Sequence, residues 1–260
     1  MALKRRDILY DPIWGFFEPP AEIIKVLDTY EIQRLSRVTQ LSLVNMIYRS
    51  ANHTRLEHSI GVANLTDKVM NRFQVDRGAW PSEAIFDEYM PKWKNLKYFA
   101  EICGLVHDVG HGPFSHFVEP FLQLTKKESR KNEDIGRDVI LGAYENIDKE
   151  FASKDIKFLR QVLKELAPEL GFSLEDFANY ITGAEEFTKY CQPIKAYLFI
   201  RRLISSPIDM DRIDFLNRDA YFVGLRVGVD ASSIIQNLCL FLNDNGAMDL
   251  VLEETGNPHV

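Results

Sequence analysis

Five of the chain's six histidines fall between positions 53 and 116. Two of them share one short run, His107-Asp108-Val109-Gly110-His111, and His116 follows five residues later. Far downstream, Ile208-Asp209-Met210-Asp211-Arg212 supplies a separate group of carboxylates. Neutral imidazole with carboxylate is the donor set of a hydrolytic transition-metal site, and histidines scattered by chance do not gather this way. The residues therefore point to metal-assisted hydrolysis.

Three local elements must deliver those groups. Thr54-Arg55-Leu56-Glu57 fits a capping box, which places His58 in the first turn of a helix. Leu96 to Val109 is apolar at Phe99, Ile102, Cys103, Leu105 and Val106, so it reads as a buried helix that Gly110 breaks. His107 and Asp108 sit at its C-terminal end, where two adjacent buried polar groups are costly unless something satisfies them. They diverge by about 100° around a helix, so both reach one ion only from the helix end. Ser206-Pro207-Ile208-Asp209 predicts a further helix start, with Pro207 at the first helical position and Asp211 in the first or second turn. His58, His107, Asp108 and Asp211 then make two imidazoles and two carboxylates around one ion, with room for water and a phosphate oxygen. Manganese, iron, nickel, zinc and magnesium all suit that mixed set. Asp209 reads as a cap, Asp214 and Arg218 as an i,i+4 pair, and His53 as a turn residue beside the site. His259 is assigned no role.

The rest of the chain reads as helical. Apolar residues recur at three-and-four spacing at about 20–45, 55–74, 95–109, 133–147, 155–167, 174–183, 193–204, 207–220 and 230–243. Pro19-Pro20, Pro81, Gly110 to Pro113, Pro168, Pro193 and Pro207 separate these segments. Strand-like alternation is confined to a short hairpin within the first 17 residues. The expected fold is an all-α helical bundle with at most that N-terminal hairpin. The 260 residues are read as one domain, with the metal-site core at about 50–220.

A composition 46% hydrophobic and 27% charged, with no bilayer-length apolar run and no secretory h-region, predicts a soluble cytoplasmic protein without membrane association. Cys103, Cys191 and Cys239 are widely spaced in apolar segments and read as reduced core thiols. The net charge of −7 argues against broad nucleic-acid binding, though a local cluster of cations and metal still holds an anionic small ligand.

The order His58 … His107-Asp108 … Asp211 resembles the H…HD…D signature of the HD superfamily of phosphohydrolases. Longer blocks narrow the resemblance: Asp28 to Leu35, Gln40-Leu41, His53 to Val62, His107 to His116 and Asp209 to Asp219. They are similar to the deoxynucleoside triphosphate triphosphohydrolases, the group of the animal SAM-and-HD-domain protein and bacterial dGTP triphosphohydrolases. The resemblance implies that water attacks the α-phosphorus of a dNTP, releasing a deoxynucleoside and inorganic triphosphate. It implies phosphate contacts for Arg55 and Arg212, a place near the α-phosphate for His116, and one near the proton-transfer machinery for His111. Gln40 and Asp219 match readers of the sugar 3′-hydroxyl, and Leu41 matches a block against a ribose 2′-hydroxyl. It further implies a homo-oligomer with weak single-stranded nucleic-acid binding.

Several positions depart from the animal pattern. Asn132-Glu133 stands where a catalytic His-Glu pair is found, so acid–base work is expected to fall on His111 or His116. Glu119 stands where a carboxylate orients that missing His, and Phe215 where a Tyr packs on the sugar. Asp28 and Gln33 match a guanine-nucleotide activator site, but Ser36 and Asp7 replace its cations, so that activation is expected to be absent or altered. The C-terminal part is expected to be short relative to the family. Two other functions fit the same residues: an HD phosphodiesterase or phosphatase acting on another nucleotide, and a non-catalytic nucleotide- or nucleic-acid-binding regulatory module.

Overall fold

A computed structural model describes residues 8–114, 131–143, 157–171, 173–175, 177–178, 198–226 and 228–253. Strands β1 (Leu9–Asp11) and β2 (Gly15–Phe17) form the expected N-terminal hairpin, in register Leu9 to Phe17. Helices α1 (Ala21–Leu27) and α2 (Tyr30–Arg34) follow, then α3 (Arg55–Val75), α4 (Glu83–Tyr89) and α5 (Trp93–Val106). Beyond them come α6 (Asn132–Leu141), α7 (Leu159–Leu170), α8 (Leu198–Ile204), α9 (Met210–Val223) and α10 (Ala231–Asn237). A second antiparallel pair, β3 (Leu238–Leu242) and β4 (Met248–Leu252), closes the described chain. Among the described residues the molecule is a helical domain in which strands are minor.

The central contact is α3 against α5, with α9 laid on α3 and α7 on α5. Val62, Leu65, Val69 and Phe73 of α3 meet Leu96, Phe99, Ile102 and Cys103 of α5 in one buried cluster. The rings of Trp93 and Phe199 stack within it at 6.1 Å. Each such side chain removed from water stabilises the fold by about 1.5–3 kcal/mol, which clamps the two helices that carry the histidines.

The segment predicted as one helix at 20–45 is broken. The Thr29 hydroxyl donates to the Val26 carbonyl at 2.7 Å, a local bond that competes with the helical ladder. Between two short 3₁₀ turns, Leu35–Arg37 and Val44–Met46, the chain runs extended beside the start of α3: Thr39 bridges Thr54, Gln40 N–H donates to His53 O at 3.0 Å, and Arg55 N–H to Val38 O at 2.9 Å. The helix predicted at 230–243 stops at Asn237. Its second half, Leu-Cys-Leu-Phe-Leu, is apolar throughout and fits either period. Gly246, with φ of +68°, makes the turn that folds β4 back on it. Pro168 does not end α7, which continues to Leu170 although the ring removes the ladder donor that would face the Lys164 carbonyl. Helix α4 was hidden behind Pro81 in a charged stretch; Ser82 caps it by accepting from Ile85 N–H. Parts of the predicted helices at 133–147, 155–167, 174–183 and 193–204 lie outside the described residues, as does Cys191. Cys103 and Cys239 are buried free thiols. Among the described residues no helix is long and apolar enough to cross a membrane.

One buried charge makes stability depend on pH. Glu101 of α5 is fully buried and neither carboxyl oxygen has a hydrogen-bond partner among the described residues. The Lys97 ammonium is 3.8 Å away and committed to Asp67 at 2.7 Å. Burial first, then the neighbouring Asp67 charge, pushes the Glu101 carboxyl up to about 8 against the pull of Lys97. A group raised in the folded state contributes stability that is present below its ordinary value of 4.5 and lost as pH rises through about 8. Glu101→Gln is therefore expected to flatten the fall in melting temperature between pH 5 and 8. A wild-type decline as steep in the variant would assign the effect elsewhere.

Candidate metal centre

His58 stands in the first turn of α3, where Thr54 and Glu57 complete the capping box and Glu57 accepts from Thr54 N–H. His107 is the residue that ends α5, its N–H still bonded to Cys103 O at 3.0 Å. Asp108 and Val109 continue in a turn in which His111 N–H donates to Asp108 O at 3.0 Å. The backbone thus opens at the helix end, as two divergent side chains serving one ion require. Helix α9 starts later than expected. Its cap is Asp209, as expected of that residue, and not Ser206: one carboxylate oxygen accepts from Arg212 N–H and the other from Ser206 N–H, both at 2.7 Å. Pro207 lies outside the helix, and Asp211 in its first turn.

These elements converge. His58 Nε2 lies 3.2 Å from His107 Nε2 and 3.0 Å from Asp211 Oδ1. His107 Nε2 is 3.5 Å from Asp108 Oδ1 and 3.7 Å from Asp211 Oδ1. One donor atom from each of His58, His107 and Asp108 lies within 4.8 Å of the others, a group able to hold a metal ion.

The far nitrogens explain the aim. His58 Nδ1 meets Asp214 Oδ2 at 2.7 Å, and His107 Nδ1 donates to Gly104 O at 2.7 Å. With Nδ1 committed as donor, each neutral ring presents its Nε2 lone pair to the same point. Two lone pairs 3.2 Å apart repel unless a cation or a proton lies between them. Nitrogens about 2.1 Å from an ion and at right angles to each other would be about 3 Å apart, so the spacing fits. Burial opposes charging His58, but Asp211 and Asp214 outweigh it and push the imidazole up to about 10. Asp108 and Asp211 are held well below the usual carboxylate range: burial opposes this, and the nearby imidazoles, with Arg55 beside Asp108, prevail. A bound cation must therefore displace protons from the imidazoles, and metal affinity rises with pH.

Behind the histidines lies a fully buried ion network. Arg218 donates to both oxygens of Asp214 at 2.8 Å and to Asp11 Oδ2 at 2.6 Å, while Trp14 Nε1 donates to Asp214 Oδ1 at 2.5 Å. The close approach needs Gly61, where a Cβ would lie 2.0 Å from Asp214 Oδ1. Asp214 and Arg218 form the expected pair, and the structure adds that Asp214 orients a histidine.

A cavity of about 360 Å³ opens over the cluster, lined by Gln40, Arg55, His58, His107, Asp108, His111, Asn132, Glu133, Ile204, Ser205, Asp211 and Phe215. Of the residues singled out in the sequence, Gln40, Arg55, His111 and Phe215 thus share one chamber with the histidines. Arg55 bonds Asp108 Oδ2 at 2.5 Å, and His111 Nε2 is 3.4 Å from Asp108 Oδ1. Arg212 does not line the chamber; it is exposed, 3.6 Å from Asp209. Leu41 and Asp219 are also not among the lining residues, and Asp219 accepts from His53 Nε2 at 2.8 Å. His116 and Glu119 lie outside the described residues.

The sequence reading missed Arg34, which donates to Val109 O at 2.7 Å and His111 O at 2.9 Å. It thereby fixes the turn carrying Asp108. No pattern near Arg34 marks this; only the fold brings α2 to that turn. Gly110 is equally constrained, since a Cβ there would lie 2.0 Å from Asn132 O and 2.4 Å from Gly136 N. Those are backbone atoms of α6 and cannot yield like a flexible side chain. Gly110→Ala is expected to destabilise the protein by about 1–3 kcal/mol and to lower its metal content. A variant with unchanged melting temperature and metal stoichiometry would contradict that packing argument.

Comparison with known proteins agrees with this geometry. The HD domain family model matches residues 55–196. The deoxynucleoside triphosphate triphosphohydrolase SAMHD1 homolog of Dictyostelium discoideum is 29% identical over 238 residues, covering 90% of this chain and 40% of that protein. The chicken (Gallus gallus) deoxynucleoside triphosphate triphosphohydrolase SAMHD1 is 25% identical over 245 residues, covering 88% and 36%. A crystal structure of a phosphohydrolase from Bacteroides thetaiotaomicron superposes with a TM-score of 0.63 at 25% identity, over 96% of this chain and 49% of that one. The chain thus spans half or less of the length of these relatives. A family match over more than half the chain, centred on a His–Asp cluster that can hold a divalent ion, makes this chain a member of the HD superfamily of phosphohydrolases.

Proposed function

We propose that the chain hydrolyses deoxynucleoside triphosphates to a deoxynucleoside and inorganic triphosphate. The observation that carries the reading is the shared chamber: a cation, Arg55, an amide, Gln40, and an aromatic ring, Phe215, stand around one His–Asp cluster. Phosphate, hydroxyl and sugar face are the groups those three side chains recognise.

In this reading His58, His107, Asp108 and Asp211 hold the ion. A divalent metal bound there supplies Lewis acidity toward a phosphoryl oxygen and acidifies water. Arg55 meets the anionic oxygens of the α-phosphate, and Arg212 swings from the exposed rim toward the triphosphate tail. His111 takes the proton lost by the attacking water or returns one to the leaving 5′-oxygen, as the pH requires. His116 and Glu119, outside the described residues, are assigned to the same proton traffic. The remaining contribution is positioning and charge neutralisation, on which phosphoryl transfer mostly depends.

Helix α9 orders the rest of the nucleotide. Asp211, Phe215 and Asp219 are four residues apart and so fall on one helix face, about 6 Å per step. Phosphate, sugar ring and 3′-hydroxyl follow one another in the same order, which supports Phe215 against the sugar and Gln40 with Asp219 at its hydroxyl. Leu41, next to Gln40, then stands against a 2′-hydroxyl. The assignment extends to one HD unit over residues 1–260 with its metal core at about 50–220, acting as a cytoplasmic homo-oligomer.

One observation favours a second reading. Asn132 lines the chamber where imidazole chemistry would be useful, which suits a module that binds nucleotide without turnover. Purified protein given manganese, magnesium, iron, nickel or zinc and each dNTP, NTP and cyclic nucleotide separates the readings. Triphosphate from dNTPs is the expected product. Phosphate or linearised nucleotide instead would make it a different HD hydrolase, and tight binding without product would make it a regulatory module.

A further inference from the structure

His53 is buried in full at its side chain, yet it is tied both to Gln40, which lines the chamber, and to Asp219, one helical turn beyond the lining residue Phe215. Its carbonyl accepts from Gln40 N–H at 3.0 Å, and its Nε2 pairs with Asp219 Oδ1 at 2.8 Å. The ring lies flat on Phe222, centroids 4.5 Å apart and planes 17° from parallel. Nδ1 is buried with no hydrogen-bond partner among the described residues. A buried bare lone pair costs less than a buried N–H without an acceptor, so the ring proton belongs on Nε2, aimed at Asp219.

The two groups it ties both present acceptor oxygens. Gln40 Oε1 is buried at the chamber without a partner among the described residues. The Asp219 side chain keeps about a quarter of its surface exposed, one turn beyond Phe215 on the same helix face. A ligand hydroxyl donates its single proton to the Asp219 carboxylate, and it accepts from Gln40 once that amide is turned over to present its NH₂ to the chamber in place of Oε1. An unheld Asp219 would sample several rotamers and turn toward water, whereas the imidazole fixes its plane.

We propose that His53 is a positioning residue that orients Asp219, and with it Gln40, to recognise the sugar 3′-hydroxyl. This rests on the nucleotide reading given above and deepens it. His53 itself touches no substrate; it acts through the carboxylate. Loss of its N–H should therefore weaken recognition of one hydroxyl, not the reaction as a whole.

The test compares each dNTP with its 2′,3′-dideoxy counterpart, which lacks only that hydroxyl. His53→Phe keeps a ring to stack on Phe222 and removes the donor. His53→Gln can place an amide N–H near the position of Nε2. The wild type is expected to favour the dNTP in kcat/KM by more than about tenfold, and His53→Phe to lose at least about tenfold of that ratio. His53→Gln should recover much of it. Thermal melting and metal content, measured on each variant, report the fold. A ratio unchanged in His53→Phe, with both substrates slowed alike, would reduce His53 to a structural tie and overturn the proposal. So would a wild type indifferent to the 3′-hydroxyl. Should the wild type release triphosphate from no dNTP, the nucleotide reading itself fails, a result distinct from loss of the ratio alone.

Discussion

Asp211→Ala is expected to abolish turnover and to remove the bound metal from the purified protein. The residue supplies a carboxylate 3.0 Å from one imidazole and 3.7 Å from another, and it is the member of the cluster carried by α9. Changing even an outer partner of a metal ligand costs about 10–100-fold in affinity or activity, so deletion of a ligand should exceed about 100-fold. Fold should survive, because the Asp211 side chain is a third exposed and contributes little to the core. Metal analysis after gel filtration, beside an assay for phosphate and triphosphate, checks both halves. Full metal occupancy in the variant would show that Asp211 is not a ligand.

Arg218→Met should be the most destabilising single change at the site. The guanidinium is completely buried and satisfies Asp214 and Asp11 together. Its removal strands two buried carboxylates, which typically costs about 3–5 kcal/mol. For a chain of this length that corresponds to a melting temperature roughly 10 °C lower. The sign of the pH dependence follows from Asp214. Burial alone would raise its carboxyl, but Arg218 and His58 outweigh that and hold it below its ordinary value. Asp214 therefore contributes stability that is present above about 3.8 and lost as pH falls through its lower folded value. Without Arg218 that loss should begin at higher pH. Acid unfolding of the variant no earlier than the wild type would mean the network is not what holds Asp214 ionised. The same variant should also loosen His58, so metal content is the second readout.

Much of the site could be read before any fold was known, because its signals are local. Thr54 and Glu57 mark where α3 begins and therefore where His58 sits. The apolar run ending in His107-Asp108 and broken by Gly110 marks a buried helix whose polar end wants an ion. The spacing of these groups sufficed for a candidate metal site, and the longer blocks for the family. Errors arose where local pattern allowed two answers. Leu238 to Leu242 is apolar at every position, so it fits helix and strand alike until β4 pairs with it. Residues 20–45 have helical spacing throughout, yet a threonine hydroxyl and the pairing of Gln40 with His53 draw the chain out.

The sequence by itself marked His58, His107, Asp108 and Asp211 as a candidate donor set and named the helix ends that present them, since capping, periodicity and glycine breaks act within a few residues. Only the tertiary structure decided what holds those ligands in place. Arg34 reaches the turn after Asp108 from 75 residues away, and Arg218 reaches Asp11 from 207. Asp214 becomes the partner of His58 across 156 residues, and Asp219 that of His53 across 166. Such bonds are made by burial: packing removes water from a polar group, and whichever group the fold brings nearest must replace it. No spacing along the chain encodes that neighbour.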